Sequence, residues 1–206
     1  MTAIIIWLVA LATYAAFRIW YGGWRGPLTA EEIEALIPRL PETTRANAKE
    51  IATLRAFLAH DDGREFAMLN LVRLAAEPVP HPETGELMPA GQLIELYTRD
   101  FFRALLRKAG HPAIAARAIG GYLDAWNVED DPGWTIVGYV RYRSRRDMME
   151  VVTDPRFASA HAFKIAATPV TLSFPTSPRL MLFVSPRIWV GLVIALGAAL
   201  LHLAIG

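Results

Sequence analysis

The chain has 206 residues, no cysteine, 21 Lys and Arg against 20 Asp and Glu, and a hydrophobic share of 53%. A formal net charge of +1 removes the electrostatic basis for nucleic-acid binding, which needs many basic side chains to displace counterions. Without cysteine there are no disulfides, thiolate metal sites or cysteine nucleophiles.

The apolar excess is concentrated at the two ends. Ala3 to Phe17 is apolar apart from Thr13, and with Ile19, Trp20 and Tyr21 it predicts a helix of about 27 to 30 Å, enough to cross a bilayer. No basic residue precedes it and Arg18, Ile19, Trp20 and Tyr21 make no cleavage site, so residues 1 to 21 read as an uncleaved anchor. Ile188 to Ile205 is a second span, within residues 188 to 206, interrupted only by Gly191, Gly197 and His202. Its Gly191, Ala195 and Ala199 stand four residues apart, which either serves a close helix contact or reflects the abundance of small residues in spans. Arg18 and Arg25 follow the first span and Arg179 and Arg187 precede the second. Both place the middle of the chain in the cytoplasm, at the inner membrane, with lipid as one partner. His202 reads as an interfacial residue.

Leu28 to Ile37 opens with Thr29 and Glu32, a capping-box pattern, and stops at Pro38. Pro41 to His60 has Ile51, Leu54 and Leu58 at helical spacing. These helices are expected to form a lead-in over residues 22 to 62, ahead of a core domain over 63 to 178. There the period changes: a strand from Phe66 to Arg73, a helix from Gln92 to Ala109, and strands from Ile114 to Val128 and Trp134 to Tyr142 about an Asp130-Asp131-Pro132-Gly133 turn. Ser144 caps a helix through Val152, Asp154-Pro155 starts another to about Ala167, and Val170 to Phe174 is a final strand. The order is β-α-β-β-α-β, an α+β ferredoxin-like sandwich flanked by two transmembrane helices. Glu77 to Gly91, rich in proline, is a long insertion that reads as a disordered loop, a lid or a partner contact.

Met68-Leu69-Asn70-Leu71-Val72-Arg73 after Asp62-Gly63, Tyr97 in the first core helix, and Val140-Arg141-Tyr142-Arg143-Ser144-Arg145 leading to Met149 and Asp154-Pro155-Arg156-Phe157 resemble the uncharacterised DUF1330-like group of the dimeric α/β-barrel superfamily. The resemblance covers about residues 48 to 175. It implies that two domains put their sheets face to face in a closed barrel, a fold that hosts monooxygenases, isomerases, haem enzymes and proteins without known chemistry. The residues ask for the same arrangement, because a sheet face carrying Phe66, Met68 and Val72, or Leu69 and Leu71, is too apolar to stay bare. An RNA-recognition domain shares the element order, but Ala67 and Val137 stand where its stacking aromatics belong.

Side-chain alternation sorts the candidates. Asn70 shares a face with Phe66, Met68 and Val72, as a lone polar group in a cleft or a structural amide. Tyr122, Asp124 and Trp126 share a face of one strand, and Val137, Tyr139 and Arg141 a face of the next. Set opposite each other, they offer aromatic walls, a carboxylate and a guanidinium for a small organic acid or aromatic ligand; alternatively Asp124 and Arg141 neutralise one another in a dimer core. His161, on one helical side with Phe157 and Lys164, is the candidate general base or an ordinary helix histidine. Arg141, Arg143, Arg145 and Arg146 read as a solvated strand exit or an attraction to the anionic leaflet. No His-x-x-x-His, glycine-rich phosphate loop or Gly-x-Ser-x-Gly occurs, so no metal site is proposed and no cofactor is named.

Two readings of function stand. In the first, a membrane-anchored homodimeric barrel binds a small apolar or aromatic molecule between its sheets, with Asn70, Tyr97, Trp126, Tyr139 and Arg141 as ligand contacts and His161 as catalytic base. In the second, the protein is a non-catalytic accessory or assembly subunit of a membrane complex. The sequence does not decide whether it is an enzyme.

Overall fold

The computed structural model describes residues 2–22, 25–45, 47–155, 160–178 and 185–205. Two compact units emerge: Pro27–Ser177, and the two chain ends together, Met1–Gly26 with Pro178–Gly206.

In the larger unit, α2 (Ala30–Leu36), a 3-10 turn at Ile37–Arg39, α3 (Glu42–Arg45) and α4 (Ala48–Ala59) precede the first strand. Thr29 and Glu32 make the expected capping box on α2, and the Asn47 side chain caps α4 by accepting from the Lys49 and Glu50 N–H groups. Then come β1 (Phe66–Arg73), the short β2 (Val79–Pro80) and β3 (Leu87–Met88), α5 (Ala90–Arg107), β4 (His111–Arg117), β5 (Ile136–Tyr142), α6 (Arg145–Val152), α7 (His161–Ala167) and β6 (Val170–Thr176). The main sheet is antiparallel in the order β4-β5-β1-β6, which is the ferredoxin-like α+β arrangement. The Asp154-Pro155 helix start runs into residues 156 to 159, outside the described residues, as does Phe157.

Register assigns the faces. Phe66 pairs with Tyr142, Met68 with Val140 and Val72 with Ile136. Phe66 and Tyr142 are buried in one core with Phe101, Ala104, Leu105, Met148 and Met149 from α5 and α6, and Met68 and Val140 pack against it. The chain enters β4 at Gly110, where a Cβ would lie 2.4 Å from a Leu105 methyl and 2.8 Å from the Arg141 carbonyl, so only glycine lets helix and strand approach this closely. The other face carries Leu69 and Leu71 on β1, Val137 and Tyr139 on β5, Ile114 on β4, and Leu172 and Phe174 on β6. Ile114 is 42% exposed, Leu172 48% and Phe174 44%. The described residues of the larger unit leave this apolar face open.

Three expectations are corrected. The segment expected as a lead-in is core: Leu28, Ile33, Ile37, Leu40, Ile51 and Leu58 belong to the same buried cluster as Phe66 and Met149, and the Phe57 and Phe66 rings meet edge to face at 5.2 Å. The second expected strand ends at Arg117 instead of running to Val128, because Gly120-Gly121 cannot hold a half-buried strand. The arginine cluster is neither a solvated exit nor a leaflet-facing patch. Arg141 pairs with Glu65, Arg143 with Asp147, Arg145 lies 3.9 Å from Asp61, and Arg146 grips Glu32 at 2.5 and 2.9 Å and the Pro27 carbonyl at 3.0 Å. Through Arg145 and Arg146 the strand exit is locked to the first helices.

The proline-rich insertion is ordered. Its β2–β3 hairpin packs Val79 and Met88 on a second small core around Leu93 and Ala167, and the His81 ring lies 5.1 Å from that of Phe163. In the smaller unit, α1 (Thr2–Tyr21) and α8 (Pro186–Ile205) are each long and apolar enough to cross a membrane, with 0% and 6% of their apolar windows buried in protein. They pack on one another. The Tyr14 hydroxyl donates to the Arg187 carbonyl at 2.7 Å, a Cβ at Gly191 would lie 3.0 Å from the Tyr14 ring, and Trp7 Nε1 donates to His202 Nδ1 at 3.3 Å. Gly191 therefore serves a close helix contact.

Leu58 is fully buried, so Leu58→Ala is expected to destabilise the protein by about 2 to 5 kcal/mol in denaturant titration; a cost near zero contradicts the placement of α4 in the core. The Arg146 guanidinium and the Thr29 N–H hold the Glu32 carboxyl down from 4.5 to about 2. A depressed carboxylate lends stability above its unfolded-state value that is lost as pH falls toward the folded one. Glu32→Gln is therefore expected to flatten stability between pH 4.5 and 2, read by thermal melts across that window.

Candidate functional site

The residues expected to share one cleft lie in three places. Asn70 is on the helix-covered face of β1, where its Nδ2 donates to the Met68 carbonyl at 3.0 Å and its Oδ1 accepts from Ser173 Oγ at 2.8 Å. It is a structural amide tying β1 to β6. Tyr139 and Arg141 lie on the opposite face; Tyr139 pairs with Leu69 and Ile114. Arg141 is buried and bound to Glu65, so its charge answers that carboxylate, and the expected neutralisation by Asp124 is replaced. Trp126 belongs to the long β4–β5 connection and is 81% exposed. With no strand beneath them, Tyr122, Asp124 and Trp126 do not line up opposite Val137, Tyr139 and Arg141.

Tyr97 and His161 do come together. Tyr97, on α5, stacks on Phe101 at 5.6 Å between ring centroids, and the His161 ring, at the start of α7, meets it at 6.5 Å. Lys164, one helical turn beyond His161, places its ammonium 5.8 Å from the centre of the Tyr97 ring. Among the described residues Lys164 has no carboxylate partner. Burial lowers its pKa, and burial, then the Lys164 charge, lowers that of His161; burial pushes the Tyr97 hydroxyl up. Both shifts favour the uncharged forms, so the His161 imidazole is disposed to be neutral beside a part-buried lysine and an aromatic wall. That set suits a small aromatic molecule carrying an anionic group. Lys164 escaped the sequence reading of the site, although a single lysine between Phe163 and Ile165, three residues after His161, was its visible signal.

Two surface grooves stand apart from this cluster. One is lined by Met88, Gln92, Glu95, Leu96 and Arg99, the other by residues that include Arg73, Glu77, Gly133, Thr135 and Pro169. Among the described residues no cluster of three or more His, Asp or Glu side chains is placed to hold a metal ion.

The lowered His161 pKa has a sign. A histidine that resists its proton in the folded state binds fewer protons there than when unfolded, so stability falls as pH drops through its unfolded value of 6.5. His161→Gln is expected to reduce this acid loss near pH 6.5 relative to wild type, measured by melting midpoint against pH; identical profiles contradict the buried-histidine reading.

No protein-family model matches this sequence, and no curated protein does. Among solved structures, RPA0582 from Rhodopseudomonas palustris, a protein of unknown function, is 22% identical over 66% of this chain and 95% of its own, with a TM-score of 0.52. The methylated form of RPA0582 is 23% identical over the same shares, with a TM-score of 0.54. SnoaB, a cofactor-independent oxygenase from Streptomyces nogalater, is 11% identical over 58% of this chain and 97% of its own; at a TM-score of 0.35 that likeness carries no weight here. The RPA0582 structures and the strand order agree on the fold, a ferredoxin-like α+β domain.

Proposed function

We propose that the Pro27–Ser177 unit is one half of a homodimeric α/β barrel of the DUF1330-like kind, held at the cytoplasmic membrane by α1 and α8, and that it binds a small apolar or aromatic molecule. The observation that carries this reading is the open sheet face: Ile114, Leu172 and Phe174 are each more than 40% exposed beside Leu69, Leu71, Val137 and Tyr139. A contiguous apolar face of this kind marks an interface, and a second copy offers the same face in return. Membrane attachment is supported by two unburied apolar helices, with Arg18 and Arg187 on the sides that adjoin the rest of the chain in sequence. The ligand was expected between the sheets, at Tyr139 and Arg141. Because Arg141 is engaged by Glu65, the geometry favours Tyr97, His161 and Lys164 as ligand contacts, with His161 as the proton acceptor.

A second reading, an accessory subunit of a membrane complex, is favoured by one observation: the apolar windows of α1 and α8 are only 0% and 6% buried in protein, which leaves them free to pack on other membrane subunits. Native mass spectrometry of gently extracted protein separates the two. A mass of two chains carrying a small molecule supports the barrel, and a larger assembly of unlike subunits supports the accessory role.

Paired Leu172→Glu and Phe174→Glu substitutions put carboxylates on the proposed interface without touching the helix-covered core. They are expected to yield a folded monomer, because unpaired charges cannot be buried between sheets; a dimer that persists in sedimentation contradicts the reading. Lys164→Met is expected to weaken an anionic aromatic ligand at least about tenfold by calorimetry, the loss of one charge-assisted contact.

A further inference from the structure

The connection between β4 and β5 carries side chains that water should not be left to solvate. Ile119 is 95% exposed, Leu123 100%, Trp126 81% and Val128 63%. Single exposed apolar residues are ordinary; a run of them on one protrusion marks a surface that is covered in the working protein.

The protrusion is built and held at its neck. The Asp131 carboxylate accepts from the Tyr122 N–H at 3.0 Å and the Gly133 N–H at 2.8 Å, Trp134 Nε1 donates to the Tyr122 hydroxyl at 3.0 Å, and the Ala118 N–H donates to the Thr135 carbonyl at 3.0 Å. Asn127 takes a left-handed conformation, φ 54°, which asparagine tolerates better than most residues. The turn there holds Trp126 and Val128 outward in place of folding them back onto the sheet.

Charge narrows the choice of cover. Between Ala118 and Thr135 the arm carries Asp124, Glu129, Asp130 and Asp131 and no lysine or arginine. The inner leaflet is anionic and draws basic segments, so it repels this one, and lipid is a poor cover. Continuity narrows it further. The arm leaves the end of β4, the edge strand whose Ile114 and Ala116 lie on the open face, so it starts at the margin of that face.

We propose that the arm is an exchanged docking element: in the homodimer each copy lays Leu123 and Trp126 on the second copy, beside that copy's open sheet face. This rests on the homodimer proposed above. The two arms, each acidic, repel one another, so each lies on the partner's apolar surface and away from its arm.

The chain has no cysteine, so Leu123→Cys supplies a single attachment point for a benzophenone probe in the full-length protein. Equal parts of isotopically heavy and light chains are mixed in detergent micelles and irradiated. The expected product is a cross-link between heavy and light chains, joining residue 123 to a peptide of the second copy. Cross-links to lipid or within one chain, in protein that native mass spectrometry shows to be dimeric, overturn the arm and leave the dimer standing. A monomeric mass overturns the dimer, and the arm with it. Combined Leu123→Ser and Trp126→Ser is expected to raise the dimer dissociation constant at least tenfold with an unchanged circular dichroism spectrum; an unchanged constant overturns the proposal.

Discussion

A four-stranded sheet has two faces, and the residues on each must be kept from water by something. Here α4, α5 and α6 cover one face through Leu58, Phe101, Leu105 and Met149. The opposite face presents Leu69, Leu71, Val137, Tyr139, Ile114, Leu172 and Phe174, and among the described residues of the same unit no helix covers it. Burial of apolar area is worth roughly 25 cal/mol per Å², so covering this face favours association. The proposed homodimer and the proposed docking of the acidic arm both rest on that imbalance.

The helical layer is itself fastened by charge. Arg141, Arg143, Arg145 and Arg146 reach Glu65, Asp147, Asp61 and Glu32, and the Asp61 carboxylate also accepts from the Leu28 N–H at 2.8 Å. Pairs this enclosed add less net energy than their geometry suggests, because desolvation offsets attraction, yet breaking one leaves an uncompensated charge. Their effect is positional: they set α2 and α4 against the β5–α6 junction. The first helices thereby become part of the domain instead of a tether to the membrane.

Local rules carried the sequence reading a long way. β1 spans the short apolar run from Phe66 to Arg73 that the sequence marks as a strand, and the Ser144 cap and the Thr29–Glu32 capping box form as their spacing requires. Long-range facts were not legible. Arg146 and Glu32 are 114 residues apart, and nothing in a run of arginines names so distant an acid. The reading of Ile114 to Val128 as a strand failed for a different reason. Ile119, Tyr122, Trp126 and Val128 have high strand propensity, and such residues signal a strand whether or not they pair with a neighbour. Tyr97 and His161 were chosen by residue type and did meet; Trp126, Tyr139 and Arg141 were joined by a hairpin that the glycines at 120 and 121 prevent. Lys164 was placed beside His161 but given no role, because a helix lysine is usually solvated; the packing of α7 puts its ammonium over the Tyr97 ring.

At the chain ends, composition was enough to identify two membrane-length helices, and packing added their pairing through Tyr14, Gly191 and Arg187. The central claim concerns the sheet between them. Because the chain lacks cysteine, Leu172→Cys reports directly on the open face through its rate of reaction with a water-soluble maleimide. If a second copy covers that face, labelling is slow in concentrated protein and accelerates on dilution as the dimer dissociates. A rate that is fast and independent of protein concentration means the face stands bare, and the account fails.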